Sequence, residues 1–230
     1  MTIESKEAFA WAVPDALQVP TDPLRLRIDF FHQSILMSIF EGDAPEKRMI
    51  SATDMVAALA SELTFSSGLV PDNTLWWQNT KAGPVTAIYE PPRRRIMALE
   101  VDLGKPPIRF DIPLPGLVFL CTPGRPPWVY GVKSKPTKET NQVYKAPLLN
   151  VFANGRSCPG NNKYPERVAD IIESFFQSFF AHAGDLVNRS NKFPKDTTKL
   201  WRFLDKAKDF PIDDLVPHGT LHDLMIMRMD

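Results

Sequence analysis

The sequence predicts an α+β fold: an antiparallel β-meander with flanking helices and an N-terminal elaboration. Three observations point to it. Short apolar segments follow one another between residues 85 and 133, divided by proline or glycine, as successive strands joined by turns are. A long segment with helical apolar spacing comes after them, not between them. Residues 24–30 alternate apolar with charged side chains, the period of a half-buried strand. Strands in a run followed by helices favour α+β over a parallel sheet with alternating helices.

The first strand is "LRLRIDF", with Leu24, Leu26, Ile28 and Phe30 on one face. "SILMSIF" (34–40) predicts a second, with His32 and Gln33 in the turn between them. "SATDMVAALASEL" (51–63) predicts a helix. Ser51 is its N-cap, Asp54 completes a capping box, and Met55, Leu59 and Leu63 share one face. "GLVPDNT" interrupts the chain, and Trp76 and Trp77 after it read as a core-and-surface pair. The meander is then "VTAIYE" (85–90), "RIMALEV" (95–101), "IRFDI" (108–112), "LVFLC" (117–121) and "WVYGVK" (128–133). Arg93 to Arg95 and the lysines at 133, 135, 138 and 145 read as solvated turns, or as a docking surface for an acidic partner.

"YPERVADIIESFFQSFFAHAG" (164–184) is the clearest helix. Pro165 suits its first turn and Gly184 its C-cap. Val168, Ile171, Ile172, Phe175, Phe176, Phe179 and Phe180 form a stripe that packs on a sheet. A shorter helix is predicted over 197–207, followed by a loose tail. Residues 1–84 thus form a strand-helix elaboration of the same domain, 85–184 the core, and 185–230 a C-terminal helix and tail.

Composition sets bounds. Lys plus Arg is 27 and Asp plus Glu is 27, so no whole-molecule field draws the chain to nucleic acid or an anionic membrane. No recognised nucleic-acid motif accompanies the basic clusters, and nucleic acid is a minor reading. No apolar run reaches the ~20 residues of a membrane helix. The first residues do not read as a signal peptide, and two cysteines read as reduced thiols of a cytoplasmic protein. There is no CxxC and no His/Cys cluster at zinc spacing, so the sequence calls for no metal and no cofactor. The 22 prolines are spread along the chain, as punctuation between strands.

The two cysteines differ in setting. Cys121 ends the apolar strand "LVFLC" and reads as inert core. Cys158 ends "NVFANGRSC", a polar loop with Asn150 eight residues and Gly155 three residues before it. It is either an incidental exposed cysteine or a nucleophile, since a useful thiol must be reachable and able to ionise.

"N-V-x-x-x-G-x-x-C" resembles the active-site loop of the ubiquitin-conjugating enzymes, although Leu148-Leu149 stand where that family has His-Pro. A closer resemblance is to the bacterial branch called prokaryotic ubiquitin-conjugating family D, whose members include protein B of the PRTRC system. Three blocks in order carry it: "LVPDNTLWW" (69–77), "P-x-x-N-V-x-x-x-G-x-x-C-x-G" from Pro147 to Gly160, and "FFQSFFAH" from Phe175 to His182. The resemblance implies a ubiquitin-conjugating core at 85–184. It implies that Cys158 carries a ubiquitin-like protein as a thioester, received from a ThiF-like activating enzyme. Asn150 would donate to the oxyanion or brace the loop, and Pro147, Gly155 and Gly160 would shape it. His182 would be a polar neighbour of the thiol, or else a helix-end histidine that favours the dipole. A JAB-type metallopeptidase is a further implied operon partner. Two other readings stand beside this one: a non-catalytic scaffold that binds the ubiquitin-like protein, and a cysteine hydrolase using Cys158 and His182.

Overall fold

The computed structural model describes residues 23–40, 44–56, 69–80, 83–101, 105–181 and 187–227. The chain divides into two compact units, Met1–Ser66 and Ser67–Asp230, and both together make an α+β protein.

In the first unit, strands β1 (Leu26–Phe30), β2 (Ile35–Ile39) and β3 (Glu46–Ile50) form an antiparallel sheet. The predicted turn at His32 closes β1 on β2, with the Phe31 N–H donating to the Ser34 carbonyl. The sequence reading missed β3, whose "EKRMI" is mostly charged and exposed. Residues 52–56 are helical. The Ser51 hydroxyl accepts from the Asp54 N–H at 3.0 Å, the cap that the sequence predicts. The rest of the predicted helix, with Leu59 and Leu63, lies outside the described residues.

The second unit holds the remaining strands. These are β4 (Thr74–Thr80), β5 (Gly83–Glu90), β6 (Arg93–Leu99), β7 (Ile108–Leu114), β8 (Gly116–Cys121), β9 (Trp128–Val132), β10 (Gln142–Lys145), β11 (Phe179–Phe180) and β12 (Pro217–Thr220). The six-stranded sheet runs in the order β12-β10-β9-β8-β5-β4, antiparallel throughout. A second sheet has the order β11-β6-β7.

The two sheets share one ribbon. Glu90 of β5 faces Leu117 of β8, and Arg93 of β6 faces Leu114 of β7, so the register passes from one pair to the next without a slip. Pro91-Pro92 and Pro115 lie at this corner. Proline cannot donate to a ladder, so the ribbon bends where its hydrogen bonds must lapse.

The six-stranded sheet is covered on both faces, which explains why β8 is apolar at every position. Leu117, Phe119, Cys121 and Val129 point to one core, with α1 (Val168–Gln177) and α2 (Thr197–Leu204). Val118, Leu120, Tyr130 and Val132 point to the other, with α3 (Leu221–Ile226). Phe119 meets Phe175 and Phe176 edge-on at 5.7 and 5.8 Å, a geometry that adds to plain burial.

Four expectations are corrected. The 164–184 helix is shorter: α1 spans Val168–Gln177, so Pro165 precedes it and Phe179 and Phe180 leave it. Ser178 turns extended and its hydroxyl donates to the Phe175 carbonyl. Phe179 and Phe180 then pair in parallel with Ala98 and Leu99. Gly184 lies outside the described residues. The C-terminal stretch is not loose: β12 pairs with β10, and Thr220 caps α3 through a capping box with Asp223. The polar stretch before the loop contains β10. Arg93 to Arg95 are not a turn but the start of β6. Arg95 pairs with Glu90 and Glu173 and stacks 4.1 Å from the Phe176 ring centroid.

Candidate active site

The eight-residue spacing of Asn150 and Cys158 has a simple structural meaning. The two residues face each other across a tight hairpin. The Cys158 N–H donates to the Asn150 carbonyl at 2.6 Å, Val151 bridges Ser157, and the Phe152 N–H donates to the Arg156 carbonyl at 2.7 Å.

The hairpin is fixed on every side. Arg156 bridges Trp128, and the Val129 N–H donates to the Gly155 carbonyl at 2.8 Å, so its second arm docks on β9. At the tip, Gly155 has φ +98°, a conformation that side chains rarely adopt. A Cβ there would meet the Tyr130 Oη at 2.6 Å. Tyr130 uses that hydroxyl to hold the Asn154 carbonyl at 2.7 Å. The buried Arg189 donates to the Val151 carbonyl.

Pro147 shapes the approach. Its carbonyl accepts from the Trp201 indole N–H at 3.0 Å, while Leu148 and Leu149 are sunk in the core. Apolar side chains at these two positions anchor the first arm by burial.

The Asn150 side chain points away from the hairpin and grips β11. Its Nδ2 donates to the Phe179 carbonyl at 3.0 Å, and its Oδ1 accepts from the Ala181 N–H at 2.9 Å. These are the two groups that a neighbouring strand would engage, so the amide seals this edge of the small sheet. Asn150 has φ 60°, the left-handed conformation that asparagine tolerates better than most residues. This grip accounts for the early end of α1: the segment after Ser178 is held extended by a tertiary contact.

The Cys158 thiol is half-buried and lines a cleft of about 210 Å³. Asn150, Glu100, Phe179 and the turn Pro159–Asn162 line it with the thiol. The Asn162 N–H closes that turn on the Pro159 carbonyl at 3.1 Å, and Gly160 carries φ 52° within it. A reachable sulfur in a small cleft can attack an acyl group and hold it. Cys121 cannot: it is wholly buried, and burial pushes its thiol up to about 12.

The sequence-predicted residues Asn150, Cys158 and Gly160 line one cleft, and Pro147 and Gly155 support the hairpin beneath it. His182 lies outside the described residues. Three neighbours were missed. Tyr164 is raised by burial, lowered again by hydrogen bonds to the Ser157 and Asn162 side chains, and raised by the nearby Cys158. Glu100 comes from the end of β6, about sixty residues upstream by the topology of the ribbon, and no local pattern connects it to the loop. Asn161 belongs to the turn after the thiol, where only its asparagine side chain signals a polar role.

The model of prokaryotic E2 family D matches residues 51–218 of the chain. No curated protein and no solved structure matches it. The matched segment takes in the ribbon, the hairpin with Cys158, α1 and α2.

Proposed function

The chain belongs to prokaryotic E2 family D, and from that premise we propose that it is a ubiquitin-conjugating-like enzyme with Cys158 as its acyl carrier. Its core would then be the antiparallel sheet, the hairpin and α1, a ubiquitin-conjugating arrangement. The observation that carries the reading is the pairing of Asn150 with Cys158, which holds the one solvent-reached cysteine at the rim of a cleft.

In the first step the Cys158 thiolate attacks the thioester carbonyl joining a ubiquitin-like protein to a ThiF-like activating enzyme. A new C–S bond forms, the donor C–S bond breaks, and the donor sulfur leaves as thiolate. A thioester is already activated, so holding the two sulfurs together supplies much of the rate. In the second step a nucleophile of the target attacks the Cys158 thioester, and the Cys158 sulfur leaves. Asn150 acts as a positioning residue, keeping β11 against the hairpin while the carbonyl is exchanged. Its two bonds to β11 favour this role over direct donation to the oxyanion.

The test is a non-reducing gel of the chain with activating enzyme, ubiquitin-like protein and ATP. The wild type and Cys121→Ala form a reductant-sensitive adduct, and Cys158→Ala forms none. Asn150→Ala charges but discharges more slowly. An adduct that persists in Cys158→Ala ends the proposal. No adduct in the wild type with the correct partners favours the scaffold, and release of the ubiquitin-like protein by this chain alone favours the hydrolase.

A further inference from the structure

We propose that Asn161 supplies the oxyanion donor of this site, an inference that rests on the reading of Cys158 as the acyl-carrying thiol. Three asparagines line the Cys158 cleft: Asn150, Asn161 and Asn162. Two of them are committed elsewhere. The Asn150 amide is spent on both the Phe179 carbonyl and the Ala181 N–H. To reach the thioester oxygen it would have to give up both bonds and release β11. The Asn162 N–H closes its own turn, and the Asn162 side chain bonds Tyr164.

Asn161 is different. Among the described residues neither its side-chain amide nor its backbone N–H makes a hydrogen bond. It stands three residues past the thiol, in the exposed turn that lines the cleft. Pro159 has no N–H to offer, and Gly160 in the left-handed region has nothing within 4 Å of a Cβ position. Asn161 thus lines the cleft from a solvent-exposed position. An amide there donates to the oxygen as its charge develops, once the side chain turns from solvent into the cleft.

The chemistry balances without a co-reactant. An amine nitrogen attacks the Cys158 thioester, a C–N bond forms, and the carbonyl electron pair moves onto oxygen, where the Asn161 Nδ2–H donates. On collapse the C–S bond breaks, Cys158 leaves as thiolate, and the surplus proton of the amine passes to solvent. Loading proceeds through the same kind of tetrahedral intermediate, so Asn161 acts in both directions.

The experiment uses the full chain and a small probe, the mercaptoethanesulfonate thioester of acetyl-glycyl-glycine. Intact mass spectrometry follows loading of Cys158, then discharge to free lysine. Asn161→Ala is expected to slow loading and discharge alike by about 10²-fold, the usual effect of losing one oxyanion donor. The loading reached at equilibrium and the melting temperature stay unchanged. Asn161→Asp is slower still, because a carboxylate has no donor and repels the developing charge. A purely structural residue would not order the variants in this way. The proposal is overturned if Asn161→Ala performs both steps within threefold of wild type, or if Asn161→Asp matches wild type. If neither the probe nor the ubiquitin-like protein with its activating enzyme and ATP loads the wild-type chain, the thioester reading itself fails, and this proposal with it.

Discussion

Cys121 lies in β8 with no solvent exposure, between a strand on either side and an aromatic helix above. Cys158 ends a hairpin and borders a cleft. Both residues are fixed by a β-register, yet the two registers do different things. In β8 the register buries side chains alternately in two cores, and a thiol there is only a small apolar group. In the hairpin the register presents one pair, Asn150 and Cys158, to a cleft, while the rest of the loop is bonded to β9 and Arg189. Placement by backbone pairing can therefore yield either packing or a reactive group, and what covers the strand decides which.

The largest expected difference is in thiol reactivity. N-ethylmaleimide added to the native protein should modify Cys158 readily. Cys121 should react only through opening of the central sheet, slower by about 10³-fold or more, as for groups protected by core strands. Peptide mapping of the single-alkylated protein reads this directly. Comparable rates at the two cysteines would remove the physical basis for singling out Cys158.

The next effect is on the hairpin's scaffold, and it separates two glycines that sequence alone treats alike. Gly155→Ala puts a methyl group into the Tyr130 ring at φ +98°. The overlap and backbone strain should cost about 2–4 kcal/mol. Gly160→Ala also meets a left-handed φ but open space, and should cost only about 1 kcal/mol. Guanidinium unfolding of the two variants gives the ranking. An equal loss would mean that the hairpin is not braced on Tyr130.

How much of this was legible in the sequence follows from where each signal resides. Strands β5 to β9 were readable because prolines and glycines bracket them and their apolar runs are local. The proximity of Asn150 and Cys158 was legible because the hairpin that pairs them turns it into a fixed eight-residue spacing, the spacing that carries the family resemblance. The end of α1 was not. Phe179 and Phe180 continue the helical stripe, so periodicity runs on past the point where the Asn150 amide pulls the backbone extended. Strands β10 and β12 are four residues each, with little apolar pattern, and are defined by long-range pairing, β10 with β9 and β12 with β10. Glu100 joins the cleft because β11 pairs with β6 and the Glu100 N–H donates to the Phe180 carbonyl, a long-range contact that no window of sequence contains.

The smallest effect sharpens the comparison from the buried side. The folded-state pKa of Cys121 is raised to about 12 from an ordinary thiol value of 9.0 by burial. The unfolded chain therefore releases this proton first as pH rises. The stability that Cys121 contributes is fully present below about pH 9 and is lost progressively between there and pH 12, by linkage. By pH 10 the loss is about 1.4 kcal/mol, one pKa unit's worth. Tyr130, raised by the same cause, adds to the alkaline loss from higher pH. Cys121→Ala keeps a buried apolar side chain but has no proton to release, so its urea midpoint should fall less steeply between pH 8 and pH 10 than that of the wild type. Equal slopes for wild type and Cys121→Ala would show that the β8 thiol meets water more readily than its packing implies, and the contrast between the two cysteines would narrow accordingly.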